Sequence, residues 1–205
     1  MIIVTGGAGF IGSNFVHYLL EVTDEEVVVI DSFTYAANKD YVPSQVKIIN
    51  CDIGDQEHVL EVFEEYKPKK VFNFAAESHV DNSINEPDVF AQTNIIGTQN
   101  LLNLVRGKTY GRPLFVHIST DEVYGDIYDG SFTEDSKITP SNPYSASKAA
   151  AEMIVLAYGR TYDISYQICR SSNNYGARQY PEKLIPKIIE SIEDDRPVPI
   201  HGDGS

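Results

Sequence analysis

The chain has 205 residues, of which 42% are hydrophobic and 22% are charged, a composition typical of a folded globular protein rather than a disordered one. Its 16 basic and 30 acidic residues give a formal net charge of −14, so the surface as a whole repels nucleic acid and anionic lipid. No stretch approaches the roughly 18 consecutive apolar residues of a membrane span, and the first residues lack the basic and apolar regions of a signal peptide. We therefore expect a soluble protein that binds neither nucleic acid nor membrane.

The two cysteines, Cys51 and Cys169, lie far apart in the sequence, and neither has a CxxC partner. Reducing compartments keep such thiols free, and free cysteines are usually buried. We therefore predict two reduced core thiols and a cytoplasmic location, and we predict no metal site.

Short β-branched runs alternate with longer helical patterns along the chain. The predicted strands are 2–5, 27–30, 46–49, 71–74, 114–119 and 164–169. The predicted helices lie near 10–21, 55–66, 87–106 and 143–161. Alternation of this kind indicates right-handed βαβ units and a parallel sheet, and near-continuous apolar strands indicate helices on both faces. The predicted fold class is α/β, a doubly wound parallel sheet.

Residues 181–194 predict a further helix that is interrupted or kinked near Pro186. The segment after it begins another element, and nothing in the sequence closes that element. We predict a first domain over residues 1–180 and, over 181–205, the beginning of a second domain that is apparently incomplete.

The stretch TGGAGFIG, residues 5–12, follows the first predicted strand and opens the first predicted helix. Gly7, Gly9 and Gly12 fit the GxGxxG spacing. Gly6, Gly9 and Gly12 also fit the GxxGxxG spacing. Glycines at these positions allow a tight turn, let the backbone approach a pyrophosphate and permit close helix–strand packing. A helix N-terminus then offers amide donors to the phosphates. The context favours a Rossmann-type dinucleotide site over a glycine-rich turn that holds no ligand.

Asp31 ends the second predicted strand, roughly 20 residues after the last glycine of the turn. A carboxylate there accepts from the adenosine ribose hydroxyls and repels a 2′-phosphate, which favours NAD over NADP. Asp52 follows the third strand and is a candidate acceptor for the adenine amino group, with Ile53 packing on the ring. In the alternative interpretation Asp52 caps the next helix, a role that Asp55 fills equally well.

Tyr144 and Lys148 lie four residues apart at the start of a predicted helix, with Asn142 as its N-cap and Pro143 at its first position. Such residues share one face of a helix. An ammonium near a phenol lowers the phenol pKa from its ordinary value of about 10, which would make Tyr144 a usable base. The spacing is common by chance, but a dinucleotide fingerprint and Thr120 at a strand end favour a catalytic pair.

The stretch STDEVYG, residues 119–125, places Asp121 and Glu122 side by side just beyond a predicted strand. Neighbouring strand residues point to opposite faces of a sheet. The two carboxylates must therefore lie in non-strand backbone if they serve one ligand. The alternative is a pair of solvated acids in a loop.

Together these motifs resemble the extended short-chain dehydrogenase/reductase family and, more narrowly, its nucleoside-diphosphate-glucose 4,6-dehydratases. The resemblance covers essentially the whole chain and rests on FNFAAESHVD, STDEVYG, NPYSASKAAAE and SSNNYGARQYPEKLIP. It implies conversion of dTDP-D-glucose to dTDP-4-keto-6-deoxy-D-glucose with loss of water, with NAD⁺ as an internally recycled hydride carrier. Such a product feeds deoxysugar synthesis, often of rhamnose.

The resemblance also implies roles for individual residues. Tyr144 would take the proton from the glucose O4, Thr120 would hydrogen-bond that oxygen, Glu122 would remove the C5 proton and Asp121 would protonate the departing C6 hydroxyl. The catalytic residues implied are Thr120, Asp121, Glu122, Tyr144 and Lys148. The cofactor-binding residues expected are Gly6, Gly9, Phe10, Ile11, Gly12, Asp31, Thr34, Asp52, Ile53, Ala75, Ala76, Ser78, Thr93, Tyr144 and Lys148. The substrate-binding residues expected are Ser78, Thr120, Asn173, Glu182, Lys183, Leu184 and His201.

Three alternatives stay open. Asn82 and His201 stand where UDP-glucose 4,6-dehydratases have them, although other motifs look more like the dTDP-glucose enzymes, which we favour. A sugar-nucleotide 4-epimerase is a rival that the Asp–Glu pair argues against. A catalytically silent NAD-binding fragment is the third, because the substrate half of the family lies largely beyond residue 205. The resemblance further implies a homodimer formed through helices 87–106 and 143–161, while His79 and His117 are predicted to be structural.

Overall fold

The computed structural model describes residues 1–198, and within them six parallel strands form one sheet in the spatial order β3-β2-β1-β4-β5-β6. The strands are β1 (Ile2–Thr5), β2 (Val27–Asp31), β3 (Lys47–Asn50), β4 (Lys70–Asn73), β5 (Leu114–Thr120) and β6 (Tyr166–Ser171). All six lie within two residues of their predicted positions. The parallel α/β fold is confirmed.

Seven α-helices lie within the described residues, and those that pack on the sheet cover both of its faces. The seven helices are α1 (Phe10–Val22), α2 (Gln56–Tyr66), α3 (Val80–Asn85), α4 (Pro87–Phe90), α5 (Thr98–Val105), α6 (Pro143–Tyr162) and α7 (Leu184–Glu193). Successive strand residues alternate between the faces. Val4 of β1 therefore packs with Val16 of α1 on one face, whereas Ile3 lies in a second cluster with Phe63 of α2 and Val155 of α6. The sheet is doubly wound, as predicted.

The predicted helix 87–106 is not one uniform α-helix. It runs through α4, a π-helical stretch over Ala91–Gly97, and α5. π-Helical stretches are rare and often accompany functional sites. Here the stretch contains Asn94, a buried side chain that lies near the cleft described below.

Two helix predictions need correction. The sequence did not predict α3, whose N-cap is His79, with its Nδ1 accepting from the backbone N–H of Asn82 at 3.3 Å. Histidine is not among the preferred N-cap residues, so no local signal announced this start. The kink expected near Pro186 is absent, because α7 begins at Leu184 and places the proline in the first turn. A missing N–H has no intrahelical acceptor to lose there.

Cys51 is buried, as predicted, but Cys169 is exposed, so the core-thiol prediction is wrong for the second cysteine. Cys169 lies on β6, an edge strand of the described sheet, where alternate residues face outward. His117 is fully buried in β5, which confirms its core position. Across residues 1–198 no helix is both long and apolar enough to cross a bilayer.

Candidate active site

A cleft of about 540 Å³ opens at the carboxyl edge of the sheet. β1 lies between β2 and β4, so the crossover direction reverses between β1 and β4. In open α/β sheets the crevice at such a switch point is the usual ligand site. Residues that follow all six strands converge on this cleft.

Most of the predicted site residues line the cleft. They are Gly6, Gly9, Phe10, Ile11, Gly12, Asp31, Thr34, Asp52, Ile53, Ala75, Ala76, Ser78, Thr93, Thr120, Glu122, Tyr144, Lys148, Asn173, Glu182, Lys183 and Leu184. Asp121 is not among the lining residues, although its neighbours on both sides are. His201 lies outside the described residues.

Close backbone contacts require glycine at two positions of the glycine turn. The three glycines that line the cleft, Gly6, Gly9 and Gly12, follow the GxxGxxG spacing. Gly6 has φ +67°, and a Cβ there would lie 2.6 Å from the Ala75 nitrogen. A Cβ on Gly12 would collide with the Gly6 carbonyl oxygen. Gly7 instead packs on β2, where a Cβ would lie 2.7 Å from a methyl of Val29.

Gly9 is not required by packing, because a Cβ there would meet only the Gly6 carbonyl oxygen, at 3.4 Å. A side chain would instead fill the cleft at the N-terminus of α1, whose first turn carries no acidic residue. Backbone N–H groups and the positive end of a helix dipole favour an anion at such a place. The turn therefore fits the diphosphate of a dinucleotide.

Asp31 ties the glycine turn to the end of β2. Its Oδ2 accepts from the backbone N–H of Ala8 at 2.9 Å, and its Oδ1 accepts from that of Phe33 at 2.9 Å. Burial raises the pKa of Asp31, and the two hydrogen bonds act against that shift. Each carboxylate oxygen has a further lone pair, so the group can still accept from a ribose hydroxyl.

Asp52 does not cap α2. Asp55 fills that role, since its Oδ1 accepts from the backbone N–H of His58 at 3.1 Å. Asp52 closes a local turn by accepting from the backbone N–H of Gly54 at 2.7 Å, and it lines the cleft together with Ile53.

The two adjacent acids lie in a 3₁₀ helix, Asp121–Tyr124, which we call the acid turn. Thr120 caps it, with its hydroxyl oxygen accepting from the backbone N–H of Glu122 at 3.2 Å. The expectation of non-strand backbone is confirmed. Glu122 lines the cleft, whereas Asp121 Oδ1 accepts from the Thr120 hydroxyl at 3.4 Å.

Tyr144 and Lys148 lie near the start of α6, which Asn142 caps by accepting from the backbone N–H of Ser145 at 2.8 Å. Pro143 occupies the first turn, as predicted. Lys148 is buried, and its Nζ donates to the Ile118 carbonyl oxygen at 2.6 Å. Burial lowers the pKa of Lys148 to about 8, against the opposing charge of Glu152.

The prediction that Lys148 lowers the pKa of Tyr144 is wrong. Burial, and after it the charge of Glu122, raises the pKa of Tyr144 to about 12, while a hydrogen bond with Thr120 acts in the other direction. The Lys148 ammonium instead donates to the Ile118 carbonyl on β5.

Sequence reasoning missed a buried amide close to Tyr144. The side-chain oxygen of Asn94 accepts from the backbone N–H of Glu77 at 2.9 Å, and Asn94 Nδ2 donates to the backbone carbonyl of Glu77 at 3.0 Å. The same Nδ2 donates to Ser147 Oγ at 2.8 Å, and that hydroxyl donates to the Tyr144 carbonyl at 2.7 Å. A buried asparagine inside an apolar helical pattern was the only available signal.

Residues near 180–183 cross the mouth of the cleft. Tyr35 donates from its hydroxyl to Glu182 Oε1 at 3.1 Å, and His79 Nε2 lies 3.7 Å from Glu182 Oε2. Lys183 Nζ donates to the Ser78 carbonyl at 3.4 Å. These contacts join the predicted substrate residues of this segment to the loops that follow β2 and β4.

Comparison with known proteins agrees with this geometry. The family model described as GDP-mannose 4,6 dehydratase matches residues 3–205. The chain is 47% identical over its full length to the low-salt glycan biosynthesis protein Agl12 of Haloferax volcanii and spans 66% of that protein. Over 99% of the chain it is 46% identical to dTDP-glucose 4,6-dehydratase of Haemophilus influenzae, of which it spans 64%.

Among solved structures, DesIV, a dTDP-glucose 4,6-dehydratase from Streptomyces venezuelae with NAD and TYD bound, superposes with a TM-score of 0.93 at 43% identity. The match covers 99% of this chain and 65% of that one. The chain thus spans just under two thirds of the length of each of these relatives. It belongs to the GDP-mannose 4,6 dehydratase family.

Proposed function

We propose that this chain carries the cofactor site and the catalytic groups of a nucleoside-diphosphate-glucose 4,6-dehydratase, which converts dTDP-D-glucose to dTDP-4-keto-6-deoxy-D-glucose. The observation that carries the proposal is that Thr120, Glu122 and Tyr144 line the same cleft as the glycine turn. In this proposal residues 1–180 form the NAD-binding domain, and 181–205 begin the substrate-binding domain. The names of the relatives favour dTDP-glucose over UDP-glucose as substrate.

NAD is the proposed cofactor because the turn at Gly9 leaves room for a diphosphate and Asp31 presents a carboxylate to the adenosine ribose. Bound NAD⁺ would supply both a hydride acceptor for the sugar C4, returning that hydride to C6, and a positive ring charge that favours the Tyr144 phenolate. The chain's own task in the first half-reaction is proton transfer. Tyr144 takes the proton of the O4 hydroxyl while Thr120 holds that oxygen.

The acid turn supports the second half-reaction. A ketone at C4 acidifies the C5 proton, and Glu122 is the proposed base because its carboxylate faces the cleft. Asp121 is the proposed acid for the C6 hydroxyl, which leaves as water once protonated. For this, its carboxyl group rotates from Thr120 toward the sugar. A sugar-nucleotide 4-epimerase has no such elimination to catalyse, so Glu122 favours the dehydratase.

A double variant, Asp121→Asn with Glu122→Gln, tests the proposal. The purified protein is incubated with NAD⁺ and dTDP-glucose, NADH is followed by absorbance, and sugar nucleotides are followed by mass spectrometry. We expect the variant to form NADH but to lose water at least about 100-fold more slowly, the usual size of general acid–base effects. Unchanged water loss would overturn the roles of the two acids. A dTDP-galactose product, which has the mass of the substrate and is separated from it by anion-exchange chromatography, would identify an epimerase. An inert wild-type chain would support a silent NAD-binding fragment.

The proposed setting is a cytoplasmic homodimer that pairs helices over 87–106 and 143–161. Exposed apolar side chains on these helices support that surface, namely Val89, Ile96, Met153 and Leu156. Leu102, on the same stretch, is fully buried and belongs to the monomer core. Sedimentation velocity of the wild type and of Met153→Glu tests the dimer, because a buried charge at the interface should release monomers.

A further inference from the structure

Arg170 of β6 lies between the acid turn and α6 and contacts both. Its Nε donates to the two carboxylate oxygens of Glu152, at 3.1 and 3.0 Å, and its Nη2 donates to Oε2 at 2.7 Å. Its Nη1 donates to the Tyr124 hydroxyl at 2.5 Å, and the guanidinium lies 4.9 Å from the centre of the Tyr124 ring. Tyr124 is the last residue of the acid turn, and Glu152 lies on the helix of Tyr144.

The strength of this link follows from burial. Glu152 is fully buried, so its carboxylate depends on the bidentate guanidinium for compensation. Glu152 also lies one helical turn beyond the buried Lys148, four residues away on the same face of α6. Glu152 therefore pairs directly with Arg170, and its charge also acts on the Lys148 ammonium, which hydrogen-bonds to Ile118 of β5.

The acid turn also packs directly against α6. Val123 and Tyr124 pack against Ala149 of that helix. The turn is also held by Thr139, whose backbone N–H donates to the Val123 carbonyl at 3.0 Å and whose hydroxyl donates to the Tyr124 carbonyl at 2.7 Å. Phe132 stacks on the Tyr124 ring at 5.0 Å. Apolar packing keeps the acid turn and α6 together but lets them slide past each other. The directional hydrogen bonds of the Arg170 guanidinium fix their relative position.

We propose that Arg170 is a positioning residue that fixes the acid turn against α6, so that the carboxylates of the turn meet the same sugar carbon chain that Tyr144 oxidises. The inference rests on the proposed dehydratase function. Oxidation at C4 needs only Thr120, Tyr144 and Lys148, which are anchored on β5 and α6. Elimination also needs the acid turn to be correctly placed relative to these three residues. A displacement of about 1 Å can cost a 100-fold loss in rate.

Tyr124→Phe is the sharpest test, because it removes one hydroxyl and keeps the ring that stacks on Phe132. Arg170 keeps Glu152 and the Glu134 carbonyl, to which its Nη1 donates at 3.1 Å, so no buried charge is orphaned. In a single turnover we expect C4 oxidation within about threefold of wild type and water loss at least tenfold slower. NADH should accumulate transiently. Arg170→Lys should behave in the same way, because an ammonium cannot span both partners.

The matched control is Tyr158→Phe, which removes a tyrosine hydroxyl from α6, where it donates to Asn103 at 2.9 Å. It should leave the ratio of the two rates unchanged. Equal slowing of both steps in Tyr124→Phe, or no slowing of either, would overturn the positioning role and leave the dehydratase intact. A wild-type protein that forms no NADH and loses no water would overturn the proposed function first.

Discussion

Lys148 on α6 donates from Nζ to the carbonyl oxygen of Ile118 on β5 at 2.6 Å. This bond ties the helix that carries Tyr144 to the strand that ends at Thr120. It also gives a buried ammonium a partner, which burial makes essential. Lys148 therefore sets the position of the Tyr144 phenol relative to Thr120.

The buried ammonium should titrate well below an ordinary lysine. Burial lowers the pKa of Lys148 to about 8, with Glu152 acting against that shift. Lysine-selective ¹³C NMR should therefore show one side chain titrating near that value, and Glu152→Gln should move it lower still, because an opposing negative charge is lost. The loss of this signal in Lys148→Met assigns it. A Lys148 signal that titrates at the ordinary lysine value of about 10.4 would contradict this environment.

The lowered pKa of Lys148 also makes the free energy of unfolding depend on pH. The folded state releases the Lys148 proton at lower pH than the unfolded state does, so between about 8 and 10.4 the unfolded state binds more protons. This residue therefore makes the free energy of unfolding rise with pH across that window. Comparison of Lys148→Met with wild type by urea unfolding at pH 7.5 and pH 9.5 measures the effect. A difference between the two proteins that does not change with pH would contradict it.

Two glycine substitutions should separate folding from cofactor binding. Gly9→Ala adds a methyl that contacts only one protein atom, so we expect at most about 1 kcal/mol of destabilisation, the usual scale at an N-cap. NAD⁺ affinity should fall at least tenfold. Gly12→Ala forces a methyl onto the Gly6 carbonyl and should lower the melting temperature. Calorimetric titration and thermal unfolding measure both, and tight NAD⁺ binding by Gly9→Ala would refute the proposed diphosphate position.

Removal of the Asp31 charge should relax the choice of cofactor. Asp31→Asn keeps one acceptor oxygen, so one of the two backbone N–H groups loses its partner, at a cost of about 1–2 kcal/mol in stability. Repulsion of a 2′-phosphate also disappears, and we expect the ratio of NAD⁺ to NADP⁺ affinity to fall at least tenfold. Asp40→Asn, an exposed aspartate, is the charge-matched control. An unchanged ratio in the Asp31 variant would place the ribose elsewhere.

The buried ion pair should matter far more to stability than an exposed one. Glu152→Gln leaves the Arg170 guanidinium without a charged partner, and we expect a loss of about 3 kcal/mol in the free energy of unfolding. Glu190→Gln removes the half-exposed partner of Lys187 and Arg196 and should cost no more than about 0.5 kcal/mol. Chemical denaturation measures both. Equal losses would show that burial does not decide the strength of these pairs.

The sheet and the glycine turn could be predicted because their signals are local. Near-continuous apolar runs mark the strands, and the turn directly follows β1 in the sequence. The non-strand backbone of Asp121 and Glu122 followed from the alternation of side chains along a strand. Most predicted site residues reach one cleft for the same reason, since the ends of parallel strands share an edge of the sheet.

Contacts between distant residues could not be predicted in this way. Arg170 and Glu152 look like ordinary polar residues of a strand and a helix, and only the packing of α6 beside the sheet joins them. The pKa of Tyr144 depends on burial and on Glu122, which its spacing from Lys148 does not reveal. The exposure of Cys169 likewise depends on which strand lies at the edge of the sheet.

The most direct measurement is mass spectrometry of an equimolar mixture of dTDP-glucose and UDP-glucose incubated with the purified protein and NAD⁺. We expect dTDP-glucose to lose one water and to be consumed faster than UDP-glucose. Faster loss of UDP-glucose would reverse the base preference and keep the reaction. Recovery of both sugars unchanged would contradict the proposed dehydratase.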